Sequence, residues 1–178
     1  MKKLLYSVAI LATGIFASAC NDTDLGGPKD PVEMMATEAL AGEWYVHMDG
    51  VDASGNVTME DPFGVGTFEL LTYNTAANVP TEMFIDDLEN FWGMKGIVKC
   101  DVNNLTFSAT AAQELYNDIT FDIIDGKVLI KAATSSYGHQ VDSITFLVKY
   151  SDDDYIGEYW DAMRISGYRR TGFDEGRD

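Results

Sequence analysis

Two histidines, His47 and His139, limit the chemistry that this sequence can support. A hydrolase that works through a nucleophile needs that nucleophile, a general base and a site that stabilises the oxyanion. Ser135 precedes His139 in a run rich in turn-forming residues, so these two side chains are the candidate nucleophile and base. A polar hairpin loop explains the same residues, and the sequence has no G-x-S-x-G motif. We therefore assign no catalytic residue and leave enzymatic activity open.

Carboxylates are the second kind of group to consider, because they bind cations and act in pairs as acid and base. Residues 152–154 are three consecutive aspartates, but the spacing of a calcium-binding EF-hand loop is absent from the sequence around them. A charged turn between two strands is the favoured interpretation, and residues 49–56 are interpreted as a long hairpin loop. Asp86 and Asp87 are adjacent, so on a strand they point to opposite faces. The sequence predicts neither a metal site nor a cofactor, and gives a glycosidase little support.

The N-terminus has the three parts of an export signal. Residues 1–3 are Met-Lys-Lys, residues 4–16 are apolar and too few to span a bilayer, and residues 17–19 are Ala-Ser-Ala. Cys20 follows directly, and the arrangement resembles the bacterial lipobox, in which this cysteine is acylated and becomes the first mature residue. Ala17 stands where a lipobox usually has leucine. Ordinary signal cleavage nearby, with Cys20 as a free thiol, is the alternative.

These features predict the organisation of the chain and its location. We expect a signal peptide over residues 1–19, an acylated cysteine and flexible tether over 20–39, and one folded domain over 40–178. The mature protein is expected in the cell envelope, held to a membrane by its lipid anchor. Cys100 then has no intramolecular partner, so no disulfide is predicted.

Net charge limits the partners. The sequence has 12 Lys+Arg against 29 Asp+Glu, a net charge of −17. No basic run is present to neutralise phosphates, so we expect no nucleic-acid binding. Contact with a membrane is expected only through the N-terminal lipid anchor.

The candidate groups must be positioned by short strands. From Leu40 onward, apolar and polar residues alternate in runs separated by turn residues, the period of a strand with one buried face. Asp125-Gly126 is typical of a tight hairpin turn, which predicts that its flanking strands pair, with Val128 and Ile130 on one face. The eight predicted strands cover residues 42–48, 67–75, 94–102, 105–109, 119–123, 127–131, 143–150 and 162–170.

Two further segments are ambiguous. Residues 81–92 have apolar side chains at helical spacing, yet 82–86 could be a strand; we interpret them as an added strand, with a short lid helix as the alternative. Residues 111–117 have a composition that favours a helical turn. The sequence thus predicts an all-β antiparallel fold of eight to ten strands with at most short helical turns. Either a two-sheet sandwich or a closed barrel would bury the apolar faces.

A short motif on the first strand favours the barrel. Residues 42–44, Gly-Glu-Trp, resemble the G-x-W signature of lipocalins and other calycins. In that fold the tryptophan closes the bottom of an eight-stranded β-barrel and an arginine of the last strand packs across its indole, which implies structural roles for Gly42 and Trp44. Strand parity selects Arg169 as that arginine, with Arg170 second. We therefore predict a lipocalin-like barrel closed by a cation–π contact between Trp44 and Arg169.

A wider pattern extends the resemblance over nearly all of the mature chain. It comprises the lipoprotein signal, Gly-Glu-Trp-Tyr at 42–45, Tyr-Asn-Thr at 73–75, Ile-Asp-Asp at 85–87, Phe-Trp at 91–92 with Lys95, Thr-Phe-Ser at 106–108 and Tyr-Arg-Arg-Thr-Gly-Phe at 168–173. This pattern is similar to a family of calycin-like Bacteroidetes lipoproteins called lipid-binding putative hydrolases. The resemblance implies a lipocalin-like barrel, a small hydrophobic or lipid ligand and an envelope location. It carries over no catalytic residue.

The side chains expected inside the barrel either fill it or line a ligand cavity. They are large and apolar: Trp44, Phe68, Leu70, Phe107, Phe121, Ile130, Phe146 and Ile165. The leading hypothesis is a protein that binds a small hydrophobic or lipid-like ligand in a barrel cavity and performs no chemistry. One alternative is a hydrolase of esterase or lipase type, in which His47 or His139 faces a cavity beside a serine and a carboxylate. The other is a non-catalytic accessory lipoprotein of the cell surface.

Overall fold

The computed structural model describes residues 34–172, and this part of the chain contains nine antiparallel strands. They are β1 Gly42–Val51, β2 Val57–Glu60, β3 Phe68–Asn74, β4 Glu82–Asp86, β5 Lys95–Asp101, β6 Thr106–Gln113, β7 Thr120–Thr134, β8 Gln140–Tyr150 and β9 Ala162–Arg169. Within this range there is no helix with the length and apolar character needed to cross a membrane. The predicted signal peptide and Cys20 lie outside the described residues.

Pairing of the first strand with the last closes the sheet into a barrel. β1 and β9 pair over eight positions, from Trp44 opposite Arg169 to Val51 opposite Ala162. Each of the other barrel strands pairs with its neighbour in the order β1-β3-β4-β5-β6-β7-β8-β9, which leaves the eight-stranded barrel without an open edge. β2 is additional and pairs only with the end of β1, where Asp49 lies opposite Glu60. The predicted antiparallel β-barrel is therefore confirmed.

Alternate residues of each strand form one continuous core inside this barrel. In β8, for example, Ile144, Phe146, Val148 and Tyr150 are buried and the residues between them are partly exposed. The largest fully buried side chains are Trp44, Phe121, Phe146, Leu40, Met48, Leu70, Met83, Ile85, Met94, Ile123, Ile144 and Met163. Four of these are methionines, whose unbranched side chains adapt to irregular spaces.

The up-and-down order of strands gives the barrel two different ends. Four connections lie at the end where β1 finishes and β9 begins, and we call this end the mouth. Its segments are residues 52–67, 87–94, 114–119 and 151–161. The opposite end, where β1 begins and β9 finishes, carries Trp44 and Arg169 and is called the closed end.

The hairpin predicted at Asp125-Gly126 is wrong, because β7 runs straight through this dipeptide. Asp125 has a φ of 53°, and the pairing with β8 shifts register between Ile124 and Lys127, so the dipeptide forms a β-bulge. A Cβ on Gly126 would clash with the ring of Phe107 on β6, so glycine is required for the close approach of these strands.

The two ambiguous segments are strands where they are regular. The added strand predicted within residues 81–92 is confirmed as β4. The helical turn predicted over 111–117 is wrong, because residues 111–113 continue β6 and residues 115–118 form bends. Strand pairing with β7, where Ala112 lies opposite Phe121, overrides the helical preference of the local composition.

Candidate functional site

At the closed end, Arg169 lies across the indole of Trp44. The guanidinium carbon is 4.3 Å from the centroid of the indole, and the guanidinium also donates a hydrogen bond to the carbonyl of Ala41. The indole N–H donates to the hydroxyl of Thr72 at 2.8 Å. The structure thus brings together the two side chains that strand parity pairs, whereas Arg170 forms an ion pair with Glu43.

Gly42 makes room for this contact. A Cβ at Gly42 would overlap Nη1 of Arg169 and would lie 3.4 Å from the indole of Trp44. The motif therefore has a steric explanation, because the glycine leaves the space through which the arginine reaches the ring.

Most of the side chains predicted to face the interior are buried there. Seven are core residues: Trp44, Phe68, Leu70, Phe107, Phe121, Phe146 and Ile165. Phe107 and Phe146 pack edge to face, with ring centroids 5.5 Å apart. These seven side chains pack in the core, and their contact with a ligand stays a prediction.

Ile130 is the exception, and its predicted place inside the barrel is wrong. Its exposed fraction is 58%. Beyond Lys127, β7 pairs only with β8, and a register shift between Leu129 and Ala133 interrupts the alternation. Ile130 therefore lies on a two-stranded extension that no third strand flanks, so it has no barrel interior to face.

Aromatic rings form a cluster at the mouth that was not predicted from the sequence. We call it the aromatic cap; its members are Phe63, Phe91, Trp92, Tyr150, Tyr155, Tyr159 and Trp160. Phe63 lies at its centre, with ring centroids 5.5–5.9 Å from those of Phe91, Trp92, Tyr155 and Trp160. Three mouth segments contribute these rings, and Tyr150 at the end of β8 lies beneath them. The cap thus covers one end of the core.

Two aspartates of the run at residues 152–154 hold the indoles of the cap. Trp92 Nε1 donates to Asp152 at 2.9 Å, and Trp160 Nε1 donates to Asp153 at 3.0 Å. Asp153 also accepts the backbone N–H of Tyr155. No group of three or more His, Cys, Asp or Glu side chains between residues 34 and 172 is placed to hold a metal ion. The run acts in the described structure as a set of hydrogen-bond acceptors for the aromatic cap.

Asp87 shapes the segment that presents Phe91 and Trp92. Its carboxylate accepts the backbone N–H groups of Glu89, Trp92 and Gly93 at 2.9–3.1 Å. Burial raises the pKa of Asp87, while these hydrogen bonds act in the opposite direction. The carboxylate is therefore used as an internal turn-former and does not face Asp86.

Asp86 belongs to a separate polar cluster on the outer wall. It accepts an ion-pair contact from Lys95 at 2.8 Å and hydrogen bonds from the hydroxyls of Tyr73 and Tyr116 at 3.2 and 3.0 Å. Burial raises the pKa of Asp86, but the Lys95 contact and the other hydrogen bonds outweigh it, and the net shift is downward. The cluster ties the β6–β7 segment, through Tyr116, to β3, β4 and β5.

Tyr150 carries the buried hydroxyl of the cap that has no partner in the described structure. Its ring stacks on Trp92, with centroids 4.9 Å apart and planes 7° apart. The residue is only 3% exposed, and its hydroxyl makes no hydrogen bond within residues 34–172. Burial, together with the nearby carboxylates Asp87 and Glu114, raises the pKa of this hydroxyl well above its usual value.

A groove of about 210 Å³ opens on the solvent side of the cap. Its walls are Met59, Pro62, Phe63, Tyr155, Tyr159 and Trp160. Met59, Phe63, Tyr155 and Tyr159 are 39–48% exposed, although their side chains are large and apolar or aromatic. A cluster of exposed rings is uncommon on a protein surface, which makes this groove a candidate binding site.

Comparison with known protein families matches residues 29–174 to the family described as "Lipid-binding putative hydrolase". The chain belongs to this lipid-binding family. A comparison with curated proteins gave no match. Membership supports binding of a lipid and agrees with the barrel, and the groove at the mouth is a place in the described structure where apolar ligand surface could be covered.

The esterase or lipase type of hydrolase considered for this lipid-binding family member would need His47 or His139 beside a serine and a carboxylate. Ser135 and His139 close the β7–β8 hairpin through backbone groups, with Ser135 N–H donating to the carbonyl of His139 at 2.9 Å and the His139 N–H donating to Ser135 Oγ at 3.4 Å. The His139 side chain is exposed. The structure therefore supports the polar-loop interpretation of this pair.

His47 has a serine and a carboxylate nearby, on the outer wall of the barrel. His47 Nε2 lies 3.2 Å from Ser166 Oγ and 3.8 Å from Asp49 Oδ2, beside a surface groove of about 380 Å³. Arg164 holds Asp49 at 3.1 Å. In a Ser-His-Asp triad the serine and the carboxylate contact opposite nitrogens of the imidazole. Here both lie on Nε2, so this geometry does not activate Ser166.

Proposed function

We propose that this protein binds a lipid-like amphipathic molecule at the mouth of its barrel. The observation that carries the proposal is the groove of about 210 Å³ walled by half-exposed rings of the aromatic cap. Burial of such rings against an apolar ligand removes a large area from water. Membership of a lipid-binding family supports the same conclusion.

The size of the groove indicates how such a ligand is held. Sites for drug-sized ligands measure about 300–1,000 Å³, so this groove accommodates one end of an amphiphile. Phe91 connects the groove to the core, because its ring lies 5.5 Å from Phe63 and 6.0 Å from Phe68. Rotation of Phe91 would open a path for an alkyl chain towards Met94 and the other buried methionines, which can repack around it.

We further propose that a lipid anchor on Cys20 holds this binding activity in the cell envelope. The support is the basic, apolar and small-residue order that precedes Cys20. Acyl chains on Cys20 would hold the acidic protein near a membrane that it would not bind through its charge, since the full sequence has 29 Asp+Glu against 12 Lys+Arg.

Tryptophan fluorescence tests the site, because the three tryptophans lie at known places. Trp92 and Trp160 belong to the cap, whereas Trp44 lies at the closed end. An alkyl glucoside with a brominated chain, used below its micelle concentration, is expected to quench the wild-type protein. A double variant with Trp92→Phe and Trp160→Phe, which emits only from Trp44, is expected to show little quenching.

Two single variants provide a matched comparison for affinity. Phe63→Ala removes the central ring of the groove and is expected to weaken binding of the brominated glucoside at least tenfold. Ile130→Ala removes an apolar side chain that is also exposed, but lies on the β7–β8 extension, and is expected to leave binding unchanged. No quenching of the wild type, or equal quenching of the Trp44-only variant, would show that the mouth is not the site.

A further inference from the structure

The mouth is acidic to a degree that the rest of the barrel is not. The segments 52–67, 87–94, 114–119 and 151–161 contain twelve carboxylates and no Lys, Arg or His. They are Asp52, Glu60, Asp61, Asp87, Glu89, Glu114, Asp118, Asp152, Asp153, Asp154, Glu158 and Asp161. The connections of the closed end at 75–81 and 102–105 contain no charged residue. The two ends of one small barrel therefore present very different electrostatic potentials to a ligand.

Three basic residues lie in the strands close to the mouth, against its twelve carboxylates: Lys95, Lys149 and Arg164, of which Arg164 is paired with Asp49. Lys95 begins β5, but Asp86 holds its ammonium at 2.8 Å on the outer wall. Asp154 and Glu158 flank Tyr155 and Tyr159 in the sequence and are exposed. A fatty-acid anion or a sulfate would be repelled at this end, whereas a cation would be attracted.

The groove itself favours a particular kind of cation. Its walls offer aromatic faces and few hydrogen-bond acceptors, since the carboxylates of Asp152 and Asp153 already accept the two indole N–H groups. A primary ammonium carries three N–H donors that would lose water without gaining partners here. An alkylated nitrogen has fewer such donors, and aromatic rings bind it through cation–π attraction.

The hydroxyl of Tyr150 is a buried polar group near the groove without a hydrogen-bond partner in the described structure. It is buried beneath Trp92, it makes no hydrogen bond in the described structure, and Phe91 lies against the same ring with centroids 6.4 Å apart. Tyr150 does not line the groove, so a ligand oxygen would reach this hydroxyl only if the rings of Phe91 and Trp92 moved apart. The groove itself therefore offers rings for an alkylated cation, and the Tyr150 hydroxyl lies behind them.

We propose that the amphiphile bound at the mouth carries an alkylated ammonium head group, held among Phe63, Tyr155, Tyr159 and Trp160 and attracted by the surrounding carboxylates. This inference rests on the proposed function, because it names the head group of the ligand at the same groove. It assigns selectivity to the mouth: cationic amphiphiles bind, uncharged ones bind more weakly and anionic ones are excluded.

Three probes with the same decyl chain separate the inference from the proposed function. Decyltrimethylammonium, decyl maltoside and decyl sulfate are titrated into the full-length protein below their micelle concentrations, with isothermal calorimetry as the readout. The trimethylammonium probe is expected to bind at least tenfold more tightly than the maltoside, and the sulfate is expected not to bind. Equal affinity for all three would overturn the inference and leave the proposed function standing, whereas absence of binding for all three would overturn both.

Variants distinguish selective recognition from general attraction to an acidic protein. Tyr159→Leu keeps every charge and an apolar wall but removes a ring, and is expected to reduce the preference for trimethylammonium over maltoside at least threefold. Asp154→Asn with Glu158→Gln is expected to reduce it similarly. Glu38→Gln with Asp125→Asn removes the same charge from exposed positions away from the mouth and is expected to leave it unchanged. A preference that falls equally in both charge variants, and not in Tyr159→Leu, would overturn the inference.

Discussion

Replacement of Arg169 by alanine should weaken the fold much more than replacement of its neighbour Arg170. Arg169 loses four interactions in this variant: the cation–π contact with Trp44, the hydrogen bond to the carbonyl of Ala41, the ion pair with Asp142 at 3.2 Å, and the packing of its methylene stem. They contribute about 1–2 kcal/mol for a partly buried cation–π contact, about 1 kcal/mol for the hydrogen bond, up to about 1 kcal/mol for the ion pair and about 1 kcal/mol for the stem. The expected loss in the free energy of unfolding is therefore about 3–5 kcal/mol.

Arg170 is the matched control, because it lies next to Arg169 but faces outward. Its ion pair with Glu43 is exposed to solvent, so Arg170→Ala should lower the urea midpoint much less than Arg169→Ala. Arg169→Met keeps an apolar stem and removes the charge, and should cost about 2 kcal/mol, intermediate between the two alanine variants. A domain of ordinary stability, about 5–15 kcal/mol, remains folded after each change.

Urea unfolding followed by circular dichroism measures these differences through the denaturation midpoints, provided that the slopes are equal. The order Arg169→Ala, Arg169→Met, Arg170→Ala, from most to least destabilised, would support the account of the closed end. Equal losses below about 1 kcal/mol for both alanine variants would refute it, because an exposed ion pair and a stacked guanidinium would then contribute alike.

Three further predictions concern the cap, the outer wall and the anchor. Tyr150→Phe removes an unpartnered buried hydroxyl and should stabilise the protein by about 1 kcal/mol at pH 7. Because burial raises the pKa of Tyr150 in the folded state, the unfolded chain ionises first, and the stability of the wild type should fall above about pH 10. The urea midpoints of the two proteins should therefore diverge above that pH, and parallel curves would contradict the assigned burial. The pKa of Asp86 is lowered in the folded protein, so its stabilising contribution is present above the ordinary pKa of 3.8 and is lost as the pH falls through the folded value. The urea midpoint of Asp86→Asn should therefore fall less on acidification than that of the wild type. Equal falls in the two proteins would exclude a stabilising role for the ionised Asp86. Cys20→Ser should abolish incorporation of labelled palmitate in a bacterial host and release the protein from the membrane fraction, and retention of the label would assign acylation elsewhere.

The closed end could be predicted from the sequence because its two determinants are local. The glycine and tryptophan of residues 42–44 are close in the chain, and alternation in the last strand distinguishes Arg169 from Arg170. The strands of the barrel were recognisable for the same reason, since one buried face imposes a period of two.

Other features depend on contacts that no local pattern encodes. Asp125-Gly126 fits a hairpin turn as well as a bulge, and only the position of Phe107 on the neighbouring strand requires the bulge. Ile130 fits the alternation of apolar and polar residues in the sequence, but it lies in the part of β7 that pairs only with β8 and so is outside the barrel wall. The aromatic cap could not be predicted because its rings come from three separate mouth segments and the end of β8, which share no sequence period. One signal was present: aromatic residues occur in connections that are otherwise polar and acidic, such as residues 151–161.

The pairing of β1 with β9 also determines when this protein can fold. Arg169 contacts the carbonyl of Ala41 across 128 residues, so the bond that seals the barrel joins the beginning of the domain to its last strand. Loop closure of this length is entropically costly, and folds rich in such distant contacts form slowly. Without β9, both β1 and β8 lack a partner strand along one side. The barrel therefore cannot close until β9 has been synthesised, so no shorter N-terminal part of the domain can bury its strand edges in this way.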